Sequence, residues 1–390
     1  MTYRELIQLY KTGKLNKEDK EKVAADIERQ EAIGEYLFDE SRIPDMPEIL
    51  EAPAETDPED TDQKFLSMLR SSIRRAFIKL GITVGCIVLA ILLCTIFLLP
   101  RVVSLFYYDP AEIVSGATNR MSLDLAVYSE LFLPGCCRNS VTAESLGYGR
   151  YLISIPQTVS WGGAPHITVS GRLDQNRLTL YNVDVLSPPP GNAFLSPDGT
   201  HPQMKSNTGP AGTKEEAAEA LSSMDEQLYY GYVSLEQLTG YEDVYQWLRE
   251  KGLDSANLWF CVYTENADGL SAANIGFTNN FSGVPLSWDS ERYPLLQGMD
   301  EEGSLLDMSS SETAETHFTS LLSYLRDYGE IAEMMPFSYN PGKEDLESMI
   351  SYVEEHGLQL YGFGILSYKD NLLQLSSDPA VSYLWARPLS

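Results

Sequence analysis

The chain contains one run of twenty uncharged, mostly apolar residues, Leu80 to Leu99, and this run limits the folds open to it. As an α-helix rising about 1.5 Å per residue, the run would span about 30 Å, the thickness of the hydrocarbon core of a bilayer. Pro100 follows at once and is expected to end the helix. Helices buried in soluble proteins rarely stay uncharged over this length, so the run predicts one transmembrane helix. A cleaved signal peptide is excluded by position, because a long and mostly polar segment precedes the run.

Basic residues are concentrated on the N-terminal side of the run. They are Lys64, Arg70, Arg74, Arg75 and Lys79, whereas the segment that follows the run carries only Arg101 and Arg120 up to residue 120. Because Lys and Arg favour the cytoplasmic side of a membrane, we expect a single-pass protein of the cell membrane with its N-terminus in the cytoplasm and everything after Leu99 outside. Residues 64–79 are expected to form a basic helix against the lipid headgroups before the chain turns into the bilayer.

Two amphipathic helical patterns occur within residues 1–43. Thr2 and Glu5 form a capping-box pattern ahead of the first, which should end at Gly13, and the second should run from Asn16 to near Asp39. Two helices this short cannot bury their apolar residues between themselves, so we expect them to bind a partner protein. The predicted partner-binding residues are Leu6, Leu9, Tyr10, Val23, Ile27, Ile33, Leu37 and Phe38.

The alternative for this module is a loosely ordered tail whose helices matter little. Residues 44–63 are rich in Pro, Asp and Glu, which is typical of an extended disordered linker. On either interpretation the linker would tether the module to the membrane rather than pack against it.

The segment after the span divides into three parts by composition. Residues 100–186 carry strand-like stretches and a predicted hairpin turning at Asp174 to Asn176, which indicates a β-rich domain. Residues 187–213 are dense in Pro and Gly and are expected to be a linker or a long loop. In residues 214–390, strands and amphipathic helices alternate in the order β-α-β-α-α-β-(α)-β. That order favours an α+β domain with helices on one face of an antiparallel sheet, of which the ferredoxin-like arrangement is one form.

Charge and motif content bear on the class of function. The net charge of −28 argues against direct binding of nucleic acid, since phosphate recognition needs clustered Lys and Arg. The four histidines, His166, His201, His317 and His356, show no metal-ligand or catalytic spacing and are expected on the surface or in loops. Glycine-rich phosphate or dinucleotide motifs are absent from the sequence, so no enzyme and no cofactor is predicted.

Three segments of the chain resemble a known family. They are YRELIQLYKTGKLNKEDKEKVAADIERQEAIGEYLFDE near the N-terminus, SIRRAFIKLG at the join to the span, and TNRMSLDLAVYSELFLPG after it. These segments are similar to the membrane-anchored anti-sigma factors of Firmicutes, whose outer part is described as a sigma factor regulator N-terminal and C-terminal pair. The resemblance implies that the cytosolic module sequesters an extracytoplasmic-function sigma factor and releases it on an envelope signal.

One departure from the family concerns metal. Many anti-sigma domains carry a His-x3-Cys-x2-Cys zinc element on the second helix, and here Asp26, Gln30 and Ile33 occupy those positions. No zinc is therefore predicted, and the module must fold largely on its partner. The extracytoplasmic ligand or protease that would trigger release is not specified by the sequence.

Two other functions are compatible with the sequence. One is a membrane-anchored extracytoplasmic binding or cell-envelope assembly protein with no transcriptional role. The other is an envelope hydrolase whose site has no recognised motif, for which a carboxylate or histidine outside the membrane would be essential.

Overall fold

The computed structural model describes the chain over fifteen stretches. They are residues 7, 9–14, 17–37, 58–136, 140–158, 166–181, 189–197, 208–225, 227–254, 257–265, 274–280, 283, 285–300, 302–335 and 340–388. The chain forms two compact units, Met1–Gly85 and Cys86–Ser390.

The N-terminal unit contains the predicted short helices. Residues 9–11 are helical, and Gly13 follows with φ +67°, the left-handed conformation that ends many helices. Helix α1 covers Lys17–Leu37, within two residues of the predicted bounds. On α1, Val23 is buried while Ile27, one turn later, is 37% exposed.

Helix α2 runs without a break over Pro58–Leu93, 36 residues. The expected turn between a basic interfacial helix and the span is therefore wrong, because the backbone stays helical through Lys79 and Leu80. No proline interrupts this stretch after Pro58, and the first helical position is one that tolerates proline. Between residues 64 and 99 the composition changes from basic to uncharged, while the backbone stays helical.

The helical path continues beyond Pro100, which corrects the expectation that proline ends it. A π-helical segment, Cys94–Leu98, leads into a short helix α3, Leu99–Ser104. Pro100 has no N–H to donate to the carbonyl of Ile96, and in an α-helix its ring would crowd that carbonyl. The wider π turn accommodates the missing hydrogen bond and the ring. Over Ser67–Ser104 the helix is long and apolar enough to cross a membrane, and none of its most apolar window is buried in the protein.

After the apolar helix, the C-terminal unit contains a small hairpin and a helix that the sequence did not predict. Strands β1 (Ile113–Ser115) and β2 (Thr118–Asn119) pair antiparallel, and helix α4 follows over Arg120–Phe132. Next comes an antiparallel meander of four strands, β3–β4–β5–β6. They cover Thr142–Gly147, Arg150–Thr158, His166–Asp174 and Arg177–Leu180. Gln175 and Asn176 form the predicted hairpin turn, both with positive φ.

A second antiparallel sheet has five strands in the order β11–β7–β10–β8–β9. The strands are β7 (Leu228–Gly240), β8 (Leu258–Val262), β9 (Gly276–Thr278), β10 (Gln359–Tyr368) and β11 (Val381–Pro388). Six helices of the described residues accompany this sheet: α5 (Lys214–Ser223), α6 (Tyr241–Glu250), α7 (Ser311–Asp327), α8 (Glu330–Met334), α9 (Lys343–His356) and α10 (Lys369–Ser376). The predicted α+β mixture is confirmed, and α10 lies where the predicted order has its last helix, whereas β9 and α8 were not predicted.

The two faces of the five-stranded sheet belong to different clusters. Leu258, Phe260 and Val262 of β8 join the large core that also holds the helices. Trp259 and Cys261 alternate with them on the opposite face, in a cluster that includes Phe194. Phe194 comes from the Pro/Gly-rich stretch, so part of the predicted linker packs on the sheet. The domain boundary predicted there stays a prediction.

Candidate functional site: the buried helix α4

The partner-binding residues predicted from the sequence lie in or beside the N-terminal helices. Leu9 and Tyr10 are half-buried in the first helix, Val23 is buried and Ile27 is exposed. Ile33 and Leu37 lie in α1, and Leu6 and Phe38 lie outside the described residues. Their role as a partner-binding surface stays a prediction.

Helix α4 follows the apolar helix and the β1–β2 hairpin, and it lies in the core of the C-terminal unit. The side chain of Asn119 caps it by accepting a hydrogen bond from the backbone N–H of Ser122, at 2.9 Å. Every residue from Met121 to Phe132 is buried. A helix buried on all sides must satisfy its polar side chains inside the protein, and α4 carries two carboxylates, Asp124 and Glu130.

Asp124 is held by two tyrosines. The hydroxyl of Tyr108 donates to Oδ2 at 2.6 Å, and the hydroxyl of Tyr324 on α7 donates to Oδ1 at 2.7 Å. The guanidinium Nε of Arg120 lies 3.8 Å from Oδ2. Burial raises the pKa of Asp124 to about 7, an effect that the two hydroxyls and Arg120 partly offset.

Arg120 also connects this cluster to another helix. Its guanidinium lies 2.9 Å from Oε1 of Glu330 on α8 and 3.3 Å from Oε2 of Glu112, the residue before β1. It also lies over the ring of Tyr108, 4.9 Å from the ring centre. The start of α4 therefore contacts both the segment before it and the helices α7 and α8.

Glu130, near the other end of α4, contacts His317 of α7. Oε1 of Glu130 lies 2.7 Å from Nε2 of His317, and both side chains are inaccessible to solvent. Oε1 also lies 3.3 Å from the backbone N–H of Thr278, and the backbone carbonyl of Glu130 accepts a hydrogen bond from Trp259 Nε1 at 2.6 Å. The expectation that the histidines lie on the surface or in loops is wrong for His317.

The geometry constrains the protons of this pair. Nδ1 of His317 lies 2.6 Å from the carbonyl oxygen of Leu295, which only accepts, so Nδ1 carries a proton. The short contact between Nε2 and Oε1 then requires one more proton, held either by the imidazole or by the carboxyl group. The pair is an imidazolium with a carboxylate, or a neutral imidazole with a carboxylic acid.

The two clusters show how α4 packs on α7. Asp124 precedes Glu130 on α4, whereas its partner Tyr324 follows His317 on α7, so the two helices run antiparallel. The two carboxylates are six residues apart, about 9 Å along a helix. Asp124 and Glu130 interrupt an apolar stretch of the sequence, which is a signal for this site, but the strand-like stretches of residues 100–186 predict a β-rich domain instead.

Residues 221–385 match the protein family described as sigma factor regulator C-terminal. This match relates the C-terminal part of the chain to sigma factor regulators. His317 and Tyr324 lie inside the matched region, whereas α4 and the N-terminal helices lie outside it. No curated protein and no solved structure matches the chain.

The remaining chemistry of the described part of the chain is limited. Within the described ranges, no group of three or more His, Cys, Asp or Glu side chains is placed to hold a metal ion. The buried acids of α4 are each engaged by hydrogen-bonding or charged neighbours. This arrangement can couple the position of α4 to the positions and protonation of those neighbouring side chains.

Proposed function

We propose that the chain is a single-pass transmembrane anti-sigma factor. Its N-terminal helices would bind an extracytoplasmic-function sigma factor in the cytoplasm, and the region after the span would control release from outside. The observation that carries the proposal is the match of residues 221–385 to sigma factor regulators, in a chain whose exposed apolar helix separates that region from a helical N-terminal module.

The distribution of charge supports the proposed orientation. The basic side chains Arg70, Arg74, Arg75 and Lys79 precede the uncharged run, and the described ones are exposed on α2. Positive charge next to a span is retained on the cytoplasmic side, where the leaflet is anionic. A sigma factor acts in the cytoplasm, so this orientation places the N-terminal helices beside their proposed partner.

The contacts of α4 support a route for the signal. Helix α4 follows the span within some twenty residues and is held by α7 through two buried acids. We propose a docked state, in which α4 is packed as described, and an undocked state that an envelope signal favours. A signal can shift this equilibrium only if it binds or stabilises one state more than the other. Breaking two buried polar clusters at once would make the transition cooperative.

The strand order supports a ferredoxin-like assignment for the C-terminal sheet. Numbered within this sheet, β7, β8, β10 and β11 would be strands 1 to 4, and their order is 4-1-3-2 with antiparallel pairs. Helix α6 connects the first two strands and α10 connects the last two, as a βαββαβ unit requires. In this assignment β9, α7, α8 and α9 are an insertion, and it is this insertion that receives α4.

The test is co-purification from cells with the full-length, affinity-tagged chain in detergent. We expect a sigma factor in stoichiometric amount, and we expect it to be lost in the variant Ile27→Asp. The exposed residue Gln30, three positions along α1, provides the matched control Gln30→Ala, which should retain it. Absence of any sigma factor from the wild-type sample would contradict the proposal and favour an anchored envelope protein with no transcriptional role.

A further inference from the structure

The turn between β3 and β4 is hydrogen-bonded to the C-terminal end of the apolar helix. The backbone N–H of Tyr148 donates to the carbonyl of Pro100 at 3.2 Å, and that of Gly149 donates to the Ser104 hydroxyl at 2.9 Å. The hydroxyl of Tyr148 reaches further back and donates to the carbonyl of Thr95, at 3.2 Å. Thr95 lies in the π-helical segment. The turn therefore follows the helix over two turns or more.

The backbone of the turn is shaped for this contact. Gly147, Tyr148 and Gly149 all have positive φ, at 76°, 58° and 68°. An aromatic residue is uncommon in this conformation. A Cβ atom at Gly147 would lie 3.0 Å from Pro100, and one at Gly149 would lie 2.6 Å from the ring of Tyr107. A side chain at either position would strain the backbone, and at Gly149 it would also collide with the ring of Tyr107.

The contact with Thr95 sets the depth of the turn. Thr95 precedes Leu99, the last residue of the uncharged run, by four residues, or about 6 Å along a helix. A run of this length fills the hydrocarbon core. The Tyr148 hydroxyl would then lie just inside the boundary between acyl chains and headgroups.

Exposed apolar side chains lie near the end of the span and on the β3–β4 side. Leu105 is 83% exposed and Phe106 is 78% exposed directly after α3, and Leu146 on the turn side is 41% exposed. The guanidinium of Arg150 lies 5.8 Å from the ring centre of Tyr148. Tyrosine and arginine combine an apolar body with a polar end, which suits them to the headgroup level.

We propose that the β3–β4 turn is a lipid-contacting element that seats the four-stranded sheet on the membrane leaflet. The Tyr148 hydroxyl reaches the upper acyl chains at the level of Thr95, and Leu105, Phe106, Leu146 and Arg150 lie at the boundary between acyl chains and headgroups. The occupant of this apolar surface is lipid because the surface is continuous with the span. The proposal rests on the span of the proposed function and is independent of sigma factor binding.

The experiment is depth measurement by nitroxide spin labels on the full-length chain in phosphatidylethanolamine and phosphatidylglycerol vesicles, with the five native cysteines replaced by serine. Labels are placed singly at Leu146→Cys, at Ile91→Cys inside the span, and at Leu305→Cys. Leu305 is the matched control, an exposed leucine of the same unit at 63%. We expect the label at residue 146 to collide with oxygen several-fold more, relative to a water-soluble nickel chelate, than the label at residue 305.

The outcomes separate the two claims. A lipid-exposed label at residue 91 together with a water-exposed label at residue 146 would contradict the lipid contact of the β3–β4 turn and leave the span intact. A water-exposed label at residue 91 would contradict both the span and the lipid contact of the turn. The unmodified chain provides a check that needs no cysteine replacement: a lipid carrying a photoreactive diazirine should label residues 105–106 and 144–148 and spare the segment around Leu305. Equal labelling of the two regions would also contradict the proposal.

Discussion

His317 and Glu130 are joined at 2.7 Å in the interior of the C-terminal unit, with neither side chain accessible to water. They lie on different helices and are 187 residues apart in the chain. Only the folded packing of α4 on α7 brings them together. Any change in the position of α4 must therefore separate this pair or carry both helices along.

Removing one member of this pair should destabilise the protein. Glu130→Ala leaves the imidazole buried without its partner, and loss of one member of a buried pair costs about 3–5 kcal/mol. We expect a clearly lower thermal unfolding midpoint for the detergent-solubilised chain. His356→Gln is the control, because His356 is exposed at the end of α9. The combined change of Glu130 and His317 to apolar residues should restore part of the loss, and equal effects of all three variants would contradict the assigned role.

Asp124 predicts a pH dependence whose sign can be worked out. Its pKa is raised from 3.8 to about 7 in the folded chain, mainly by burial. Between these values the folded state binds a proton that the unfolded state has released, so its contribution to the free energy of unfolding falls as the pH rises. At about 1.4 kcal/mol per pKa unit, the full loss is at most about 4 kcal/mol above pH 7.

The variant Asp124→Asn should remove this dependence. We expect unfolding by denaturant to vary less with pH between 5 and 7.5 in this variant than in the wild type. Glu302→Gln, at an exposed carboxylate, should leave the wild-type profile unchanged. Identical profiles for wild type and Asp124→Asn would show that the carboxyl group titrates normally.

Undocking of α4 should be visible in cells. In the proposed mechanism the docked state is the resting state, so weakening it with Glu130→Gln should release the sigma factor and raise transcription from its target promoters without a signal. The measurement is a reporter fusion together with immunoblotting, so that loss of the protein is distinguished from release. An unchanged reporter in a stably produced Glu130→Gln protein would argue against α4 as the signal route.

The N-terminal surface can be tested quantitatively. Ile27→Asp places a carboxylate where the partner is expected to bury an apolar side chain, which should cost several kcal/mol of binding free energy. Because Ile27 is exposed in the free chain, the folding of α1 should be unaffected, and circular dichroism can verify this. Titration of purified sigma factor should show at least a hundredfold weaker binding, about 2.7 kcal/mol, with Gln30→Ala close to wild type.

Much of the secondary structure was predictable from the sequence because the patterns are long and regular. The apolar run, α1, α7, α9 and the strands β7, β8, β10 and β11 were all expected close to where they lie. In each of these elements, apolar residues recur every 3.6 residues or every second residue, or they form an uninterrupted run. The pattern extends far enough along the chain to be recognised. Strand β9 has three residues and α8 has five, too few for either period to be recognised.

The site around α4 was not predictable for a different physical reason. A helix buried on all sides loses the amphipathic period by which surface helices are recognised, so α4 could not be told from buried strands. The pairing of Glu130 with His317 depends on contacts between residues far apart in the chain, which local patterns do not contain. The path beyond Pro100 likewise depends on a π turn that relieves the proline clash.

Helix α2 has a mechanical consequence that its sequence alone did not suggest. Thirty-six residues in one unbroken helix measure about 54 Å, and such a rod resists bending far more than a jointed segment does. In the proposed mechanism, such a helix would transmit a twist or an axial shift along its length with little loss. If the proposed span is correct, the change of composition at Lys79 marks where the helix leaves the lipid, and the backbone has no break there that would absorb the movement.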